Sequence, residues 1–434
     1  MGVDLSRDLP QDVHTVELAV PDAYGILRGK RVPASAWPSV LASGIHMCSV
    51  IYSWTPRCEI RDEDEWLPAE RGWPDMVVRP MADTLRVVPW RPGAAMVLCD
   101  ATEEDGSELP VSPRRALRSV LDHAARLGFE VRIGFEIEFY LLDAQTLRPR
   151  HDDIQCYGIA RASEYEHVLA PMRNQLVEFG IPVEASNTEY APGQVEVNVR
   201  YGEALATADS AVLFRNAVRE IAAQHGYLAS FMAKIYTDQS GSGLHLHHSL
   251  WREGRNAFAE GGRLSRTGRH YLGGLQAHMA ELSLFGSPTP NSFKRRREYT
   301  FCPTSASWGT DNRTTGLRVI EGGDSAVRIE QRDGSADANP YLIMAAQIAA
   351  GLDGIDRALE PGPKQAGDAY AAPAGPELPR TLPEAAALLE GSELARKTFG
   401  DQLVSVTLGL GRYEEAAISG QVSEVERTRY LSAF

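Results

Sequence analysis

The sequence predicts an α+β protein in two parts, a small β-rich unit over residues 13–108 and a larger mixed unit over residues 109–434. Three observations carry this. Short apolar runs punctuated by Gly and Pro dominate the first hundred residues, turn formers cluster at Gly106, Pro110 and Pro113, and beyond them strand-like alternation interleaves with helical spacing.

The segments Val13 to Val20, Met76 to Arg79, Leu85 to Val88 and Ala95 to Cys99 read as strands by length and flanking turn residues. Arg114 to Leu127 has amphipathic helical spacing and stops at Gly128, a suitable C-cap. Glu166 to Phe179 stops at Gly180 in the same way, and Ser210 to His225 stops at Gly226. A further helix runs from Pro340 to Leu352, opened by a proline that needs no N–H partner there. Residues 360–380, rich in Pro, Ala and Gly, read as an exposed loop. Ser423 to Phe434 reads as a short charged helix that packs through Val425, Tyr430 and Leu431.

Composition narrows the function. With 44 basic against 58 acidic residues, the 434-residue chain carries a formal charge of −14, which disfavours a nucleic-acid partner. Five scattered cysteines without a CxxC pair argue against a disulfide framework and against a thiolate zinc site. Met1 to Pro10 has no apolar core of a signal peptide, and no run of 18 apolar residues occurs. A soluble cytoplasmic protein without a membrane partner is expected. Met1-Gly2 with Ser6 fits a myristoylation pattern too short to weigh.

Four segments carry the chemistry. In Arg132 to Phe139, strict alternation puts Glu136 and Glu138 on one face and Ile133, Phe135, Ile137 and Phe139 on the other. Gln194, Glu196, Asn198 and Arg200 share a face of the next such segment, His245 and His247 of another, and Arg328, Glu330 and Arg332 of the last. A solvated strand face explains any one of these. Together they are rich in Glu, His and Arg, which bind divalent cations and anionic oxygens, and paired like charges call for a cation between them. Such a set suits metal-assisted phosphoryl transfer. Gly25 to Lys30 lacks the spacing and the Ser or Thr of a phosphate-binding loop, so a nucleotide must be held by the strand face and metals.

In this order the segments resemble the glutamine synthetase family over essentially the whole chain. Glu136-Ile137-Glu138-Phe139 resembles its metal strand, Glu189 to Glu196 its ExxPGQxE segment, and Gly241 to His247 its GSGxHxH segment. Asn291 to Arg295, Asn312-Arg313 with Arg318, and Arg328-Ile329-Glu330 with Asn339 to Leu342 resemble NSYKR, NR…R and RIE…NPYL. The resemblance implies a small N-terminal β-grasp domain and a catalytic domain built on a curved antiparallel sheet, a half-barrel flanked by helices. It implies two or three Mg²⁺ or Mn²⁺ ions, one held by Glu138, Glu189 and Glu196 and another by Glu136, His245 and Glu330. His247, Arg313, Arg318 and Arg328 would meet ATP phosphates, Ser249 and Tyr201 the adenosine, and Gly241, Arg295 and Arg332 the carboxylates of glutamate. It further implies a homo-oligomer of stacked hexameric rings, a dodecamer. The implied reaction passes through γ-glutamyl phosphate, which an amine attacks.

The acceptor end departs from the family pattern. Ammonia-using members place an Asp in the N-terminal domain and a Glu on a flap loop; the matching stretches here are Gly44 to Ile51, without a carboxylate, and a position near Phe301. Met47, Cys48, Ser49 and Phe301 would line a neutral pocket that admits alkyl groups. An organic amine is therefore expected in place of ammonia, with Glu298 or Asp311 as the base. A short amine such as ethanolamine suits that pocket; a polyamine would call on the acidic run Glu59, Asp62, Glu63, Asp64 and Glu65. The alternatives are a true glutamine synthetase, a non-catalytic relative with a structural or sensory role, and a metal hydrolase acting at the HxH. Lys294 to Arg297 reads as a basic surface turn for Arg296 and Arg297, and Tyr201 equally as a core aromatic.

Overall fold

The computed structural model describes residues 8–61, 66–67 and 71–433. The myristoylation pattern and the acidic residues Asp62, Glu63, Asp64 and Glu65 lie outside them.

The chain first builds a six-stranded sheet from β1 (Thr15–Pro21), β2 (Leu27–Pro33), β3 (Ile45–Cys48), β4 (Asp75–Pro80), β5 (Arg86–Val87) and β6 (Ala94–Thr102), with helix α1 (Trp37–Ser43) between β2 and β3. The strand order is β2-β1-β6-β4-β3, with β5 also on β6; β1 and β6 run parallel and the other pairs antiparallel. The β1–β2 turn is fixed by Asp22, whose Oδ1 accepts from the amides of Tyr24 and Ile26 while Oδ2 accepts from Arg28 Nε. Helix α1 was not legible in the sequence, because its seven residues span barely two turns and Pro38 masks the period.

Helix α2 (Pro113–Arg126) follows, opened by Ser112, whose hydroxyl accepts from Arg115 N. The second sheet has nine strands, β7 (Glu130–Asp143), β8 (Val183–Thr188), β9 (Gln194–Glu203), β10 (Tyr227–Ser230), β11 (Leu244–Arg252), β12 (Arg255–Asn256), β15 (Trp308–Thr310), β16 (Leu317–Ile320) and β17 (Arg328–Gln331); a small ribbon, β13 (Ala259–Glu260) and β14 (Arg263–Leu264), stands apart. Its order is β15-β16-β17-β11-β7-β9-β8, with β10 on β7 and β12 on β11, and all pairs but β15–β16 are antiparallel. Helices α3 (Ile159–Glu164) and α4 (Glu166–Glu178) precede β8, α5 (Ala204–Gln224) follows β9, and α6 (Arg266–His278), α7 (Ser283–Gly286), α8 (Pro290–Phe293), α9 (Pro340–Asp356), α10 (Leu382–Glu390), α11 (Glu393–Ser419) and α12 (Glu424–Tyr430) complete the chain. The architecture is α+β, with a large curved sheet flanked by helices.

The alternation in β7 sorts the faces as chemistry requires. Ile133, Phe135, Ile137 and Phe139 are fully buried, with Phe135 and Phe139 edge-on to Phe214 of α5. The opposite face is left for the charged residues. Helix α5 starts six residues before the sequence-based estimate, because the Glu203 carboxylate caps it by accepting from the amides of Leu205 and Ala206. Helix α9 is buried almost all round, so its apolar residues show no stripe.

Two sequence expectations fail here. Helix α12 forms, with a capping box between Ser423 and Glu426, yet Val425 and Leu431 are 68% and 71% exposed and Tyr430 is exposed as well, so none of the three is buried among the described residues. Arg296 is no surface residue: its guanidinium is buried, donating to Pro379 O and Ser287 Oγ with Asp333 at 3.9 Å, while Arg297 is exposed. A tight turn sends neighbouring side chains in opposite directions, which a run of four basic residues conceals. Arg296→Met is expected to cost about 2–4 kcal/mol by stranding a buried carbonyl and Asp333, read as a lowered unfolding midpoint.

Candidate active site

Strand register brings the four charged segments onto one face. His245 lies opposite Glu136, and His247 opposite Glu330, in the ladders of β11 with β7 and β17. Glu138 pairs with Glu196 across β7–β9, and Arg318 with Glu330 across β16–β17. Residues as distant in sequence as Glu136 and Glu330 thus share one patch. The ligand atoms of Glu136, Glu196 and His245 lie within 4.8 Å of one another, as do those of Glu136, His247 and Glu330. His247 Nε2 is 3.1 Å from Glu136 Oε1, and His245 Nδ1 is 3.6 Å and 3.5 Å from Glu136 and Glu330. Both ring nitrogens are buried and face carboxylate oxygens, the donor chemistry of a cation site. The oxygen-rich donor set with imidazole fits Mg²⁺ or Mn²⁺. Of the residues that the resemblance implied as metal ligands, Glu136, Glu196, His245 and Glu330 fall in these two groupings, which also include His247 and leave Glu138 and Glu189 outside.

The electrostatics divide the acids. Burial disfavours ionised Glu136, but hydrogen bonds and charge from His245 and His247 outweigh it and hold the carboxyl well below the usual range. Burial likewise opposes ionised Glu330, and Arg332 and the two histidines overcome it. Glu189 and Glu196 go the other way. Burial and the neighbouring carboxylates push Glu189 up to about 7 and Glu196 to about 9. Glu138 Oε2 accepts from Gly243 N at 2.7 Å and from Gln194 Nε2 at 3.3 Å. Gln194 and Asn198, already placed on the charged face by alternation, hold Glu138 and Glu196, and Asn187 holds Glu189.

Arginines flank this patch. Glu330, fully buried, accepts from Arg318 Nη1 at 3.0 Å and from Arg332 Nη1 at 2.5 Å. Arg328 Nε donates to His247 Nδ1, and Arg318 also pairs with exposed Asp311. Arg295 is buried and donates to the carbonyls of Asp333 and Arg332. Its position explains the glycines before the histidines. A Cβ at Gly243 would sit 2.7 Å from Arg295 Nη2 and 2.8 Å from His245 Nε2, and one at Gly241 would sit 2.6 Å from Ala233 O. Arg313 and Glu298 are exposed on the loops beside the site.

A cleft of about 360 Å³ opens beside the metal-ligand set, lined by Glu136, Asn198, Tyr201, His247, Ser249 and Arg328. Tyr201 is 48% exposed and stacks on Trp251 at 13°, so the core-aromatic reading is set aside. The Ser249 hydroxyl accepts from Trp251 Nε1. His248, by contrast, is the core histidine of this strand: it is buried between Tyr271 and Gln347, and burial lowers its pKa to about 4.

At the acceptor end, Phe301 is exposed and edge-on to Tyr190, while its carbonyl accepts from Arg332 Nη2. Tyr157, Tyr299, Phe301 and Asp311 all hold left-handed φ angles between 50° and 60°. Four such non-glycine residues concentrate backbone strain on the loops around the site. Tyr157, which feels the charges of Glu189 and Glu196, escaped the sequence reading because no periodic element carries it. Met47, Cys48 and Ser49 belong to the other sheet's edge. Ser49 is buried with its hydroxyl donating to Pro74 O, and Cys48 Sγ donates to Trp73 O, so only Met47 keeps a side chain without a polar commitment.

Residues 110–430 match the pattern of the glutamine synthetase catalytic domain. The chain is 35% identical to a glutamate–isopropylamine ligase of a Pseudomonas species, over 97% of this chain and 95% of the relative. It is 38% identical to a gamma-glutamylethanolamide synthetase of Streptomyces coelicolor, over 96% and 92%. Among solved structures, GmaS in complex with ADP superposes with a TM-score of 0.87 at 30% identity, covering 97% of both chains. Fold, charged strand faces and these likenesses agree: the chain belongs to the glutamine synthetase family.

Proposed function

We propose that this protein is an ATP-dependent ligase that joins the γ-carboxylate of glutamate to a small organic amine. The observation that carries the choice of acceptor is the mouth of the acidic site, where Phe301 and Tyr190 meet edge to face and no carboxylate accompanies them on the 299–302 loop. An alkyl group gains from burial against such a lining, and ammonium has no apolar surface to bury there. The relatives named for isopropylamine and ethanolamide support this reading.

In this reading residues 13–108 form the N-terminal domain and 109–434 the catalytic domain of a cytoplasmic homo-oligomer. Arg295, Arg332 and the Gly241 backbone orient glutamate; Tyr201 and Ser249 line the adenosine side; Arg313, Arg318 and Arg328 face the phosphates. The γ-carboxylate oxygen attacks the terminal phosphorus, the bond to ADP breaks, and the arginines offset charge on the transferred group. Divalent cations held by Glu136, Glu196, His245, His247 and Glu330, with Glu138 and Glu189 beside them, would supply neutralisation of the phosphate oxygens. The amine then displaces phosphate from γ-glutamyl phosphate and surrenders a proton. Of the two candidate bases, Asp311 is the poorer, since its hydrogen bond and charge pairing with Arg318 hold it below the usual carboxylate range, leaving Glu298.

Phosphate release with ATP, glutamate and a panel of ammonium, ethanolamine, isopropylamine and putrescine tests this. A monoamine should exceed ammonium at least about tenfold in kcat/KM. Activity with ammonium alone refutes the proposal. Phe301→Glu should narrow the gap by drawing the smaller cation.

A further inference from the structure

Composition marks residues 360–380 as an exposed loop, yet hydrogen bonds fasten this segment to the chain around β15. Ala306 N donates to Pro376 O and Leu378 N to Thr304 O, ahead of the strand. Beyond it, Asn312 Nδ2 donates to Gly367 O at 2.7 Å. The segment is thus a strap held at both ends, and Tyr370 stands between these anchor points.

From the strap Tyr370 reaches the loop that carries Phe301. Its hydroxyl donates to Cys302 O at 3.0 Å, and its ring centroid lies 5.3 Å from that of Tyr299 at an interplanar angle of 49°. The loop needs such a hold. Tyr299 and Phe301 sit at φ angles of 60° and 57°, a region that residues with a Cβ occupy at a cost and keep only where surrounding contacts impose it. Both side chains are exposed, so their own packing imposes little. The adjacent carbonyls of Phe301 and Cys302 are instead held from two directions, by Arg332 Nη2 at 3.4 Å and by the Tyr370 hydroxyl at 3.0 Å. The first of these bonds is long and the second of ordinary length, so Tyr370 supplies the firmer hold.

We propose that Tyr370 is a positioning residue for the acceptor amine: through Cys302 O and the Tyr299 ring it fixes the loop that sets Phe301 edge-on to Tyr190. The inference rests on the reading of Phe301 as acceptor lining. Tyr370 acts through the loop and not on the reacting atoms. Arg332 keeps its ion pair with Glu330 whether or not the loop is held, so glutamate and ATP binding should not respond to the loss of the hydroxyl.

Tyr370→Phe keeps the ring against Tyr299 and removes only the donor. With the amine that the wild type prefers, the KM for amine should rise roughly threefold to tenfold, the factor expected of one lost hydrogen bond, while the KM values for glutamate and ATP stay within about twofold. In a Phe301→Ala background the same substitution should leave the amine KM where it is, because the side chain it positions is gone. Hydrogen exchange of the full chain, read on peptides covering residues 297–303, should be faster in Tyr370→Phe and unchanged elsewhere. Equal exchange in this loop, an amine KM that does not move, an undiminished rise in the Phe301→Ala background, or a parallel rise in all three KM values overturns the proposal. A wild type that accepts ammonium alone refutes the reading of Phe301 instead, and exchange in the loop then decides whether Tyr370 holds it.

Discussion

Glu330→Gln is expected to reduce amine-dependent phosphate release by roughly 10²–10³-fold, the range seen when a fixed charge-stabilising group is removed from an active site. Three demands meet at this carboxylate. It is fully buried, it accepts from Arg318 and Arg332, and it stands 3.5 Å from the His245 ring nitrogen. Glutamine keeps the shape but loses the charge, leaving the buried Arg332 guanidinium without its counter-ion and Arg318 with Asp311 alone. Breaking a buried ion pair from one side costs about 3–5 kcal/mol. Unfolding midpoints of wild type and variant, with and without Mn²⁺, separate the two effects: wild type should gain stability from Mn²⁺ and the variant should gain much less. An equal gain in both would remove Glu330 from the metal-ligand set.

The second large effect is a pH dependence of the metal-free protein. Glu189 and Glu196 ionise near 7 and near 9 in the fold, against about 4.5 in the unfolded chain. At low pH both states hold these protons. As pH rises past the unfolded value the unfolded chain releases them while the folded protein retains them, so stability falls, and the fall ends only as pH passes the folded values. Between about pH 5 and 9 the metal-free protein should therefore lose stability on the order of a few kcal/mol from this source. Mn²⁺ supplies the missing positive charge and should flatten the slope, with proton release on binding visible as a buffer-dependent heat. A metal-free midpoint that rises across this window would contradict the clustering of acids on which the site rests. Glu196→Gln should shallow the slope on its own.

The charged strand faces were legible because a strand's period of two is strict and one face of each segment was apolar. Ile133, Phe135, Ile137 and Phe139 had to be buried together, which left Glu136 and Glu138 no choice of side. The same reasoning isolated His245 and His247 from His248, whose ring points into the core between Tyr271 and Gln347. The loop residues were not legible. Arg296 and Arg297 are neighbours in a turn without a period, and only the position of Pro379 and Ser287 distinguishes the buried one. Tyr157 lies on a loop that the amide of Tyr157 and the hydroxyl of Thr188 fasten to β8, a contact between segments thirty residues apart.

Helix α12 marks the opposite limit. Its sequence specified a helix, through Ser423 and Glu426, but not what Val425 and Leu431 should touch. Local capping is a matter of three residues, whereas burial needs a partner that local sequence does not name.

The sequence by itself determined which residue types stand on each face of each strand, and with them the α+β class, the family and the absence of a carboxylate from the 299–302 loop. The faces, the class and the missing carboxylate follow from short-range stereochemistry and composition, and the family from the order of the motifs it resembles. Only the tertiary structure decided which of those faces meet. Register across β17, β11, β7 and β9 sets His247 against Glu330 and Glu138 against Glu196, making two ligand sets that share Glu136. Hydrogen-bonded pairing between residues 58 to 109 positions apart has no local signature, so the partners of each acid, and hence which acids are held ionised and which are forced toward protonation, emerge only once the sheet has formed.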